Sequence, residues 1–448
     1  MHPLKDPRLN SLEQLRSGAL AGAQRLTLRA GLRELPAEVY TLADTLEVLD
    51  LSGNALQELP DDLPRLHRLR VIFCSDNRFT RLPPVLGRCE ALEMVGFKAN
   101  RIVDVPATAL PPRLRWLILT DNDIATLPDA LGQRPRLQKV ALAGNRLREL
   151  PATMAACERL ELLRISANQL QALPDWLLAL PRLTWLAHGG NPFSTAQEAQ
   201  ALAQAPLPTQ AWSQLDVQAL LGEGASGHIH RVGLPDGRQL ALKVFKGEVT
   251  SDGLPSTELA ACLQAGTHPQ LIPALARLAG HPGGAEGLLM PLIGPEFRVL
   301  AGPPSLASCT RDVYAPAPPL PATAVLGIAG GMAAALAHLH RRGLTHGDLY
   351  AHNILHDGAG QARLGDFGAA SFLGSVPAAQ AARLKALDVR ALGCLLEELA
   401  DAGGPRTAPL DALAALAQPC LQPDADKRPT ADEVAHELAA TLATMARH

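Results

Sequence analysis

The first half of the chain repeats one pattern of apolar and polar positions about every 23 residues. In each unit apolar residues precede an asparagine at fixed offsets, as in Leu46, Leu49, Leu51 and Asn54. The pattern predicts one short strand per unit, whose alternate residues point inward. No unit of this size can bury its leucines alone, so the units must stack on one another. The asparagines are Asn54, Asn77, Asn100, Asn122, Asn145, Asn168 and Asn191, and six are followed six residues later by proline, at Pro60, Pro83, Pro106, Pro128, Pro151 and Pro174.

This repeat resembles a leucine-rich repeat over residues 21–193, with about eight units. The first unit is degenerate, and Asn191-Pro192-Phe193 is similar to the turn that closes a last repeat. We expect residues 1–20 to form a helical cap. Each asparagine side chain is expected to bond backbone groups where the chain turns away from its strand. The resemblance implies a recognition module, because no acid–base pair recurs at a fixed spacing within it.

The residues between the inward leucines would lie on the concave face of the repeats. Exposed aromatic and apolar groups there predict a surface that binds a protein partner. The alternative is that Trp116 and Trp185 only pack on neighbouring strands. The residues assigned to this face are Val48, Asp50, Val71, Phe73, Met94, Lys98, Trp116, Ile118, Leu162, Arg164 and Trp185.

The pattern changes at Ser194 to a Gln/Ala-rich segment with two prolines, which predicts a short helix and a linker over residues 194–213. A strand over residues 214–221 and a glycine-rich loop follow. The loop fits either a phosphate-binding hairpin or a dinucleotide-binding turn. We favour the hairpin because a second strand and a turn follow, not a helix. The candidate nucleotide-binding residues here are Leu221, Gly222, Glu223, Gly224, Ala225, Ser226, Gly227, His228 and Ile229.

The next predicted strand, Gln239–Phe245, alternates well and carries one lysine, Lys243. From this point the chain resembles protein kinases over residues 214–445. Ala241-Leu242-Lys243 is similar to the strand motif whose lysine holds the α- and β-phosphates of ATP. The resemblance implies that Glu258, on an apolar helical segment, pairs with Lys243. It also implies that Met290 and Leu292 belong to the strand and hinge that seat adenine.

Two further motifs follow in the order that this family requires. The segment His346-Gly347-Asp348 with Asn353 resembles the catalytic loop, so Asp348 would orient the attacking hydroxyl. Asp366-Phe367-Gly368 resembles the magnesium-binding motif, and Asp366 with Asn353 offers the oxygen ligands that Mg²⁺ prefers. The resemblance therefore implies the cofactors ATP and Mg²⁺, with Asp348, Lys243 and Asn353 as catalytic residues and Asn353 and Asp366 as metal ligands.

Two late residues have structural counterparts in the family. Asp388 resembles the aspartate that braces the catalytic loop from the start of a central helix, and Arg428 resembles a late structural arginine. Only 22 residues separate Asp366 from Asp388, and no glutamate lies between them. The usual partner of Arg428 is thus missing, and the part of the family fold that docks a peptide is shortened.

The catalytic loop also departs from the family pattern. Gly347 stands where many kinases carry the arginine that contacts a phosphorylated activation loop. Tyr350 stands where Ser/Thr kinases usually carry a lysine, and His352 where tyrosine kinases commonly carry an arginine. Neither acceptor class is specified by these residues, although we favour Ser/Thr. His-Gly-Asp is also similar to the loop of small-molecule phosphotransferases.

Composition adds limits to this interpretation. A net charge of −3 with 19% charged residues gives no support for nucleic-acid binding. The longest apolar run, near Val325–Leu339, is shorter than a bilayer requires and predicts a buried helix. Seven scattered cysteines without CxxC spacing fit reduced thiols, and no secretory signal is visible. We therefore expect a cytoplasmic protein without a membrane span; its oligomeric state stays open.

The predicted fold class is two domains: an α/β leucine-rich-repeat solenoid followed by a bilobal α+β protein-kinase-like fold. The leading hypothesis is an active ATP- and magnesium-dependent protein kinase whose repeats recruit a partner. Two alternatives stay open: an ATP-binding scaffold with little or no turnover, based on the shortened segment, and a small-molecule phosphotransferase, based on His346-Gly347-Asp348.

Overall fold

A computed structural model describes residues 9–204, 207–224, 226–247, 249–250, 252–316, 318–405 and 407–445. The chain divides into two compact units. The first is Met1–Leu160 with Asn168–Leu170, and the second is Glu161–Ala167 with Gln171–His448. The second unit therefore includes strands from the last two sequence repeats. The domain boundaries given above rest on the sequence and stay predictions.

The first unit begins with a short helix, α1 (Leu12–Arg16), capped by reciprocal bonds between Ser11 and Gln14. Six three-residue strands follow, each a parallel neighbour of the next. They are β1 (Arg25–Thr27), β2 (Val48–Asp50), β3 (Val71–Phe73), β4 (Met94–Gly96), β5 (Trp116–Ile118) and β6 (Lys139–Ala141). A 3₁₀ turn follows each strand, at Ala37–Leu42, Leu63–Arg65, Pro84–Arg88, Ala107–Ala109, Asp129–Gln133 and Ala152–Ala156.

The middle residue of each strand is buried and lies in register with the middle residue of the next. This ladder of apolar side chains forms the core of the unit, and it is the core that a single repeat could not build. The solenoid prediction is confirmed. The ladder consists of Leu26, Leu49, Ile72, Val95, Leu117 and Val140.

The repeated asparagines join successive repeats, as Asn122 illustrates. Its side-chain amide donates to the carbonyl of Leu119 in its own repeat at 3.0 Å and to that of Phe97 in the preceding repeat at 2.9 Å. Its carbonyl oxygen accepts from the backbone N–H of Ile102 at 3.0 Å. These bonds satisfy backbone groups that are buried where each strand ends. The predicted role of the asparagines is confirmed.

The second unit begins with two parallel strands, β7 (Leu162–Arg164) and β8 (Trp185–Ala187), with a 3₁₀ turn at Asp175–Ala179 between them in the sequence. The predicted short helix after the repeats is α2 (Thr195–Gln204). A six-stranded sheet follows, in the order β10-β11-β12-β14-β13-β9. Its elements are β9 (Thr209–Ala211), β10 (Asp216–Glu223), β11 (Gly227–Gly233), β12 (Gln239–Phe245), α3 (Pro255–Ala265), β13 (Ala276–Ala279) and β14 (Gly287–Pro291).

The rest of the unit is mainly helical and carries two small sheets, β15-β17-β18 and β16-β19. The predicted strand Gln239–Phe245 and the predicted buried helix near Val325–Leu339 are both confirmed. The remaining elements are β15 (Arg298–Val299), α4 (Ala322–Arg341), β16 (Leu344–Thr345), β17 (Ile354–His356), β18 (Ala362–Leu364), β19 (Ser371–Phe372), α5 (Ala378–Ala402), α6 (Ala408–Cys420) and α7 (Ala431–Met445).

Helix α4 is apolar on nearly every side because it lies in the core. Within the described ranges it is the one helix long and apolar enough to cross a bilayer, yet 61% of its most apolar window is buried inside the protein. A core helix satisfies the same length and composition criteria. Helix α5 corrects one prediction, because it begins at Ala378 and not near Asp388. Asp388 lies in its middle, where its side chain is fully enclosed.

Three residues assigned to an exposed concave surface are buried in the second unit. Leu162 and Trp185 belong to the same hydrophobic cluster as the residues of α4 and α5, and Arg164 is also buried. Their assignment to an exposed surface was therefore wrong. In the first unit Val71 and Met94 are buried as well, whereas Phe73 and Trp116 stay partly exposed.

Candidate active site

Lys243 and Glu258 form a buried ion pair. Lys243 lies on β12, a central strand, and Glu258 lies on the first turn of α3. The lysine Nζ is 2.7 and 3.0 Å from the two carboxylate oxygens of Glu258 and 3.2 Å from Oδ1 of Asp366. Burial by itself lowers the pKa of Lys243, but Asp366 and Glu258 together raise that pKa above its usual value. The lysine is therefore held as a cation between two carboxylates.

Asp366 lies between β18 and β19 and has a left-handed backbone, with φ of 56°. Its Oδ1 accepts from the N–H of Gly368 at 3.2 Å as well as from Lys243. Burial raises the pKa of Asp366, but the charge of Lys243 and the Gly368 bond outweigh it, so the net pKa is lowered. The carboxyl is thus held ionised, and its side chain is still 34% exposed.

Asn353 lies in a short turn that also positions Asp348. Its amide Nδ2 donates to the backbone carbonyl of Asp348 at 3.0 Å and to Oδ2 of the same residue at 2.9 Å. The N–H of Gly365 donates to the Asn353 carbonyl at 3.1 Å, which brings the Asp366 segment beside the turn. Because Nδ2 faces Asp348, the amide oxygen of Asn353 is the atom available to a cation.

The donor set of Asp366 and Asn353 fits Mg²⁺. No group of three or more His, Cys, Asp or Glu side chains that could hold a metal ion occurs in the described part of the chain. Magnesium does not require such a group, because it commonly uses one or two protein oxygens and takes the remaining ligands from phosphates and water. An ionised carboxyl beside an amide oxygen meets that requirement.

Asp388 fixes the backbone of the catalytic loop at His346 and Gly347. Its two carboxylate oxygens accept from the backbone N–H groups of His346 at 2.8 Å and Gly347 at 2.9 Å. The ring Nε2 of His340 lies 3.0 Å from the same carboxylate.

Arg428 has no carboxylate partner among its described bonds and instead donates to three backbone carbonyls, those of Gln422, Ala386 and Pro423.

The glycine-rich loop is a hairpin, as predicted. Strands β10 and β11 are antiparallel, with Glu223 opposite His228 and Gly222 opposite Ile229. Gly227 must lack a side chain, because a Cβ there would lie 2.5 Å from the carbonyl oxygen of Val244 on β12. The structure brings most of the predicted loop residues together at the turn, among them Leu221, Gly224 and Ser226; Ala225 lies outside the described residues.

The predicted hinge residues lie at one end of the same sheet. Met290 pairs with Ala241 across β12 and β14, and Leu292 follows β14 directly. Both side chains are half-buried. The sheet therefore places this apolar strand end next to the strand that carries Lys243.

Sequence reasoning missed the role of Arg164. This residue of β7 donates from Nε to Oδ1 of Asp252 at 2.6 Å and from Nη1 to the carbonyl of Gly347 at 3.2 Å. Its Nη2 donates to Oδ1 of Asp348. The side chain is only 5% exposed. The one signal in the sequence was a charged residue among apolar neighbours on a predicted strand, and that signal names no partner.

Trp185 of β8 contacts the same loop. Its indole N–H donates to the carbonyl of Leu349 at 3.1 Å, and its ring stacks on Tyr350 with centroids 4.3 Å apart. Such a stack and the burial of a whole indole stabilise the contact by several kcal/mol, roughly 3–5 for the loss of the ring. Trp185 is therefore buried against the catalytic loop; it is not exposed on a concave face, and these contacts are not with neighbouring strands.

Comparison with known families agrees with this arrangement. Residues 215–390 match the model of the protein tyrosine and serine/threonine kinase family, a segment that includes every residue from Lys243 to Asp388 discussed above. This segment is a protein kinase domain. Residues 45–66 match the leucine-rich-repeat model. The predicted combination of leucine-rich repeats with a protein kinase domain is therefore confirmed.

Curated relatives resemble parts of the chain. A DNA damage-responsive serine/threonine-protein kinase, RqkA of Deinococcus radiodurans, is 32% identical over 161 residues, which is 34% of this chain and 22% of the relative. A protein phosphatase PHLPP-like protein of Drosophila melanogaster is 36% identical over 20% of the chain and 9% of the relative. The transforming growth factor beta activator LRRC32 of Mus musculus is 31% identical over 26% of the chain and 18% of the relative. The chain thus spans less than a quarter of the length of these relatives.

Proposed function

We propose that this kinase domain transfers the γ-phosphoryl group of ATP to a hydroxyl of a protein, with serine or threonine as the acceptor. The observation that carries the proposal is that the buried Lys243–Glu258 pair, with Asp366 bonded to its lysine, lies in the same unit as the Asp348–Asn353 turn. Charges lose their hydration on burial, so a buried cation between two carboxylates costs free energy to form. Groups of this kind are frequent at functional sites. The similarity of about a third of the chain to a serine/threonine-protein kinase supports the choice of acceptor.

The role proposed for each residue follows from the negative charge of the ATP phosphates and the positive charge of Mg²⁺. Lys243 and the backbone N–H groups of the glycine-rich loop would bind the phosphates, and Met290 and Leu292 would contact the adenine. Asp366 and Asn353 would hold Mg²⁺, which when bound neutralises phosphate charge. Little covalent chemistry is left to the protein, so positioning and charge supply most of the rate.

Asp348 orients the acceptor hydroxyl. In the transfer, a bond forms between the hydroxyl oxygen and the γ-phosphorus while the bond from that phosphorus to the bridging oxygen of ADP breaks. The hydroxyl proton passes to the Asp348 carboxylate, and ADP leaves with the electron pair of the broken bond. Asn353 holds Asp348 in place through its bonds to both the backbone and the side chain of that residue.

The direct test is transfer from radiolabelled ATP with Mg²⁺ by the full chain. Asp348→Asn should lower transfer by at least about 100-fold, the usual scale for loss of a positioned acid–base group. Asp216→Asn, an exposed position on β10, should leave transfer unchanged. Equal transfer by wild type and Asp348→Asn would refute the proposal, and nucleotide binding without turnover would favour the scaffold alternative.

We further propose that the repeats of the first unit bind a protein partner or the protein acceptor. Phe73 on β3 and Trp116 on β5 are partly exposed aromatic residues, and β4 lies between their strands. The Nζ of Lys139 lies 4.2 Å from the centre of the Trp116 ring. Rigid aromatic groups of this kind often anchor protein contacts. Trp116→Ala should lower phosphorylation of an added protein acceptor but leave autophosphorylation unchanged. An equal loss of both reactions would contradict recruitment.

A cytoplasmic location is also part of the proposal. Its support is that all seven cysteines are buried, and that Cys74, Cys89, Cys157, Cys262, Cys394 and Cys420 are thiols outside any disulfide. Reduced thiols are typical of proteins kept in a reducing compartment. Localisation of a fluorescent fusion in the source cells would test this directly.

A further inference from the structure

The catalytic loop of this chain contains no lysine or arginine between Asp348 and Asn353. His352 lies in this stretch, but its Nδ1 is 2.7 Å from Oδ1 of Asp312, so its ring is bonded to Asp312 and not to Asp348. Transfer of a phosphoryl group leaves negative charge close to the residue that orients the acceptor. A cation near Asp348 would stabilise that charge, and the loop itself does not provide one.

Arg164 of β7 provides a cation at this place. Its guanidinium bonds Asp348 and the carbonyl of Gly347 on one side and Asp252 on the other. Burial lowers the pKa of Arg164, but Asp348 and Asp252 more than offset it and raise the net pKa, so the group stays charged. Asn353 holds the other carboxylate oxygen of Asp348, and each oxygen has a second lone pair for a hydroxyl.

The contact between strand β8 and the catalytic loop is part of the packed core. Trp185 is 1% exposed and belongs to the hydrophobic core that α4 and α5 build. A Cβ at Gly347 would lie 2.6 Å from the carbonyl oxygen of Leu186, so the backbone of the loop lies directly against β8. Strand β8 therefore cannot move away from the catalytic loop without exposing part of the core, and β7, which carries Arg164, pairs with β8. An inhibitory gate, in contrast, has to leave its site.

We propose that Arg164 is a positioning residue for phosphoryl transfer, supplied to the catalytic loop by the seventh repeat strand. Its guanidinium fixes the Asp348 carboxylate and places positive charge beside the transferred group. The strands β7 and β8, which come from the last two sequence repeats, are then part of the catalytic centre. This inference rests on the proposed kinase activity.

The same geometry accounts for Gly347, where the family commonly has arginine. Any side chain at this position would collide with β8, and the guanidinium enters instead from Arg164. Its Nη1 reaches the carbonyl oxygen of Gly347 itself. The close approach of the Gly347 backbone to β8 therefore explains why residue 347 has no side chain. It also explains why the cation comes from Arg164.

The test compares wild type, Arg164→Ala, Arg164→Gln and Arg164→Lys in the full chain, with Arg148→Ala at an exposed repeat position as the control. Transfer from MgATP, affinity for a fluorescent ADP analogue and the melting temperature are measured for each. Arg164→Ala and Arg164→Gln should lower kcat by about 100-fold, comparable to the loss of one charge-stabilising donor. Affinity for the ADP analogue should stay within about twofold, since Arg164 acts through Asp348 and not through the phosphates that Lys243 binds.

Rescue of activity, by lysine at position 164 or by added guanidinium ion, distinguishes a positioning role of Arg164 from a purely structural one. Arg164→Lys should keep part of the activity, and free guanidinium ion added to Arg164→Ala should restore part of kcat without changing the melting temperature. If Arg164→Ala does not fold, Arg164→Gln and Arg164→Lys decide the outcome, because Lys keeps the charge and most of the length of the side chain and Gln keeps a polar group and the first three side-chain carbons. Transfer by the variants that equals or exceeds wild type would overturn the inference and show that Arg164 is dispensable or inhibitory.

Failure of the two proposals can be told apart. Active wild type with undiminished Arg164 variants refutes the role of Arg164 alone. Wild type that binds the ADP analogue but transfers no phosphate, under conditions where Asp348→Asn behaves identically, refutes the kinase activity and the role of Arg164 with it.

Discussion

The backbone of Gly347 lies so close to Leu186 that a Cβ on the glycine would be 2.6 Å from the Leu186 carbonyl oxygen. It would also be 2.6 Å from the carbonyl oxygen of Ala369, and the φ of Gly347 is 70°, in the left-handed region. Both carbonyl oxygens belong to the backbone, so neither can rotate away from an added Cβ as a flexible side chain could. The catalytic loop, the last repeat strand and the segment after Phe367 therefore meet at one residue that must lack a side chain.

Gly347→Ala should lower the free energy of unfolding of the second unit by about 3 kcal/mol or more and abolish most of the transfer activity. The cost combines strain at positive φ, about 1–2 kcal/mol, with displacement of packed backbone. Gly343→Ala is the matched control, because its φ is 77° but no atom lies within 4 Å of the added Cβ. Chemical denaturation of both variants checks this, and equal losses would show that the contact with Leu186 adds nothing.

Lys243→Met should remove the cation that two carboxylates share and weaken nucleotide-dependent transfer by about 100-fold or more. Glu258→Gln should have a smaller effect, about 10-fold, because Asp366 still bonds Lys243. Initial rates at saturating and limiting ATP, with melting temperatures, would measure both. Lys427→Met, which removes an exposed lysine of the second unit, serves as the control. Transfer by Lys243→Met at the wild-type rate would contradict the proposed role of the buried group.

His188 should make the second unit sensitive to acid. Burial lowers the pKa of His188 to about 4 from an ordinary value of 6.5, and both of its ring nitrogens lack hydrogen-bond partners among the described residues. Between these two pH values the unfolded chain binds more protons than the folded chain, so stability falls as the pH drops from 6.5 to 4. The loss amounts to about 3 kcal/mol for a difference of this size.

His188→Leu should remove that loss, so its stability should decline less than that of wild type between pH 6.5 and 4. At pH 7 the variant should be as stable as wild type or more so, since no hydrogen bond of the ring is given up. Denaturation at a series of pH values measures the difference. The exposed His436→Leu is the control and should keep the wild-type slope. A parallel decline in wild type and His188→Leu would exclude His188 as the source.

Asn122→Ala should destabilise the repeat array by about 2–4 kcal/mol, because it removes bonds to Phe97, Leu119 and Ile102 and leaves buried backbone groups without partners. Gln133→Ala, at an exposed repeat position, should change stability by less than about 0.5 kcal/mol. The midpoint of urea unfolding, followed by circular dichroism, provides the comparison. Similar midpoints for both variants would show that the asparagine ladder is not stabilising.

Much of the site was predictable because its groups lie in local motifs of fixed order. These short-range patterns are a strand with Lys243, Asp348 with Asn353 five residues later, and Asp366 two residues before a glycine. The structure places these four side chains as the patterns imply. Their chemical roles stay proposals. The start of α5 was misplaced because the short segment after Phe367 allows the helix to begin at Ala378, ten residues before the recognisable Asp388.

The sequence by itself determined the repeat period, the inward leucines, the asparagine bonds and the order of the phosphate-binding motifs, since each depends on contacts between residues near one another or on a strict periodicity. Only the tertiary structure decided that Leu162, Arg164 and Trp185 are buried in the unit that carries the catalytic loop. The bond between Arg164 and Asp348 joins residues 184 positions apart. No periodicity or motif encodes such a pair, because the bond forms only when strand β7 and the catalytic loop pack together within the second unit.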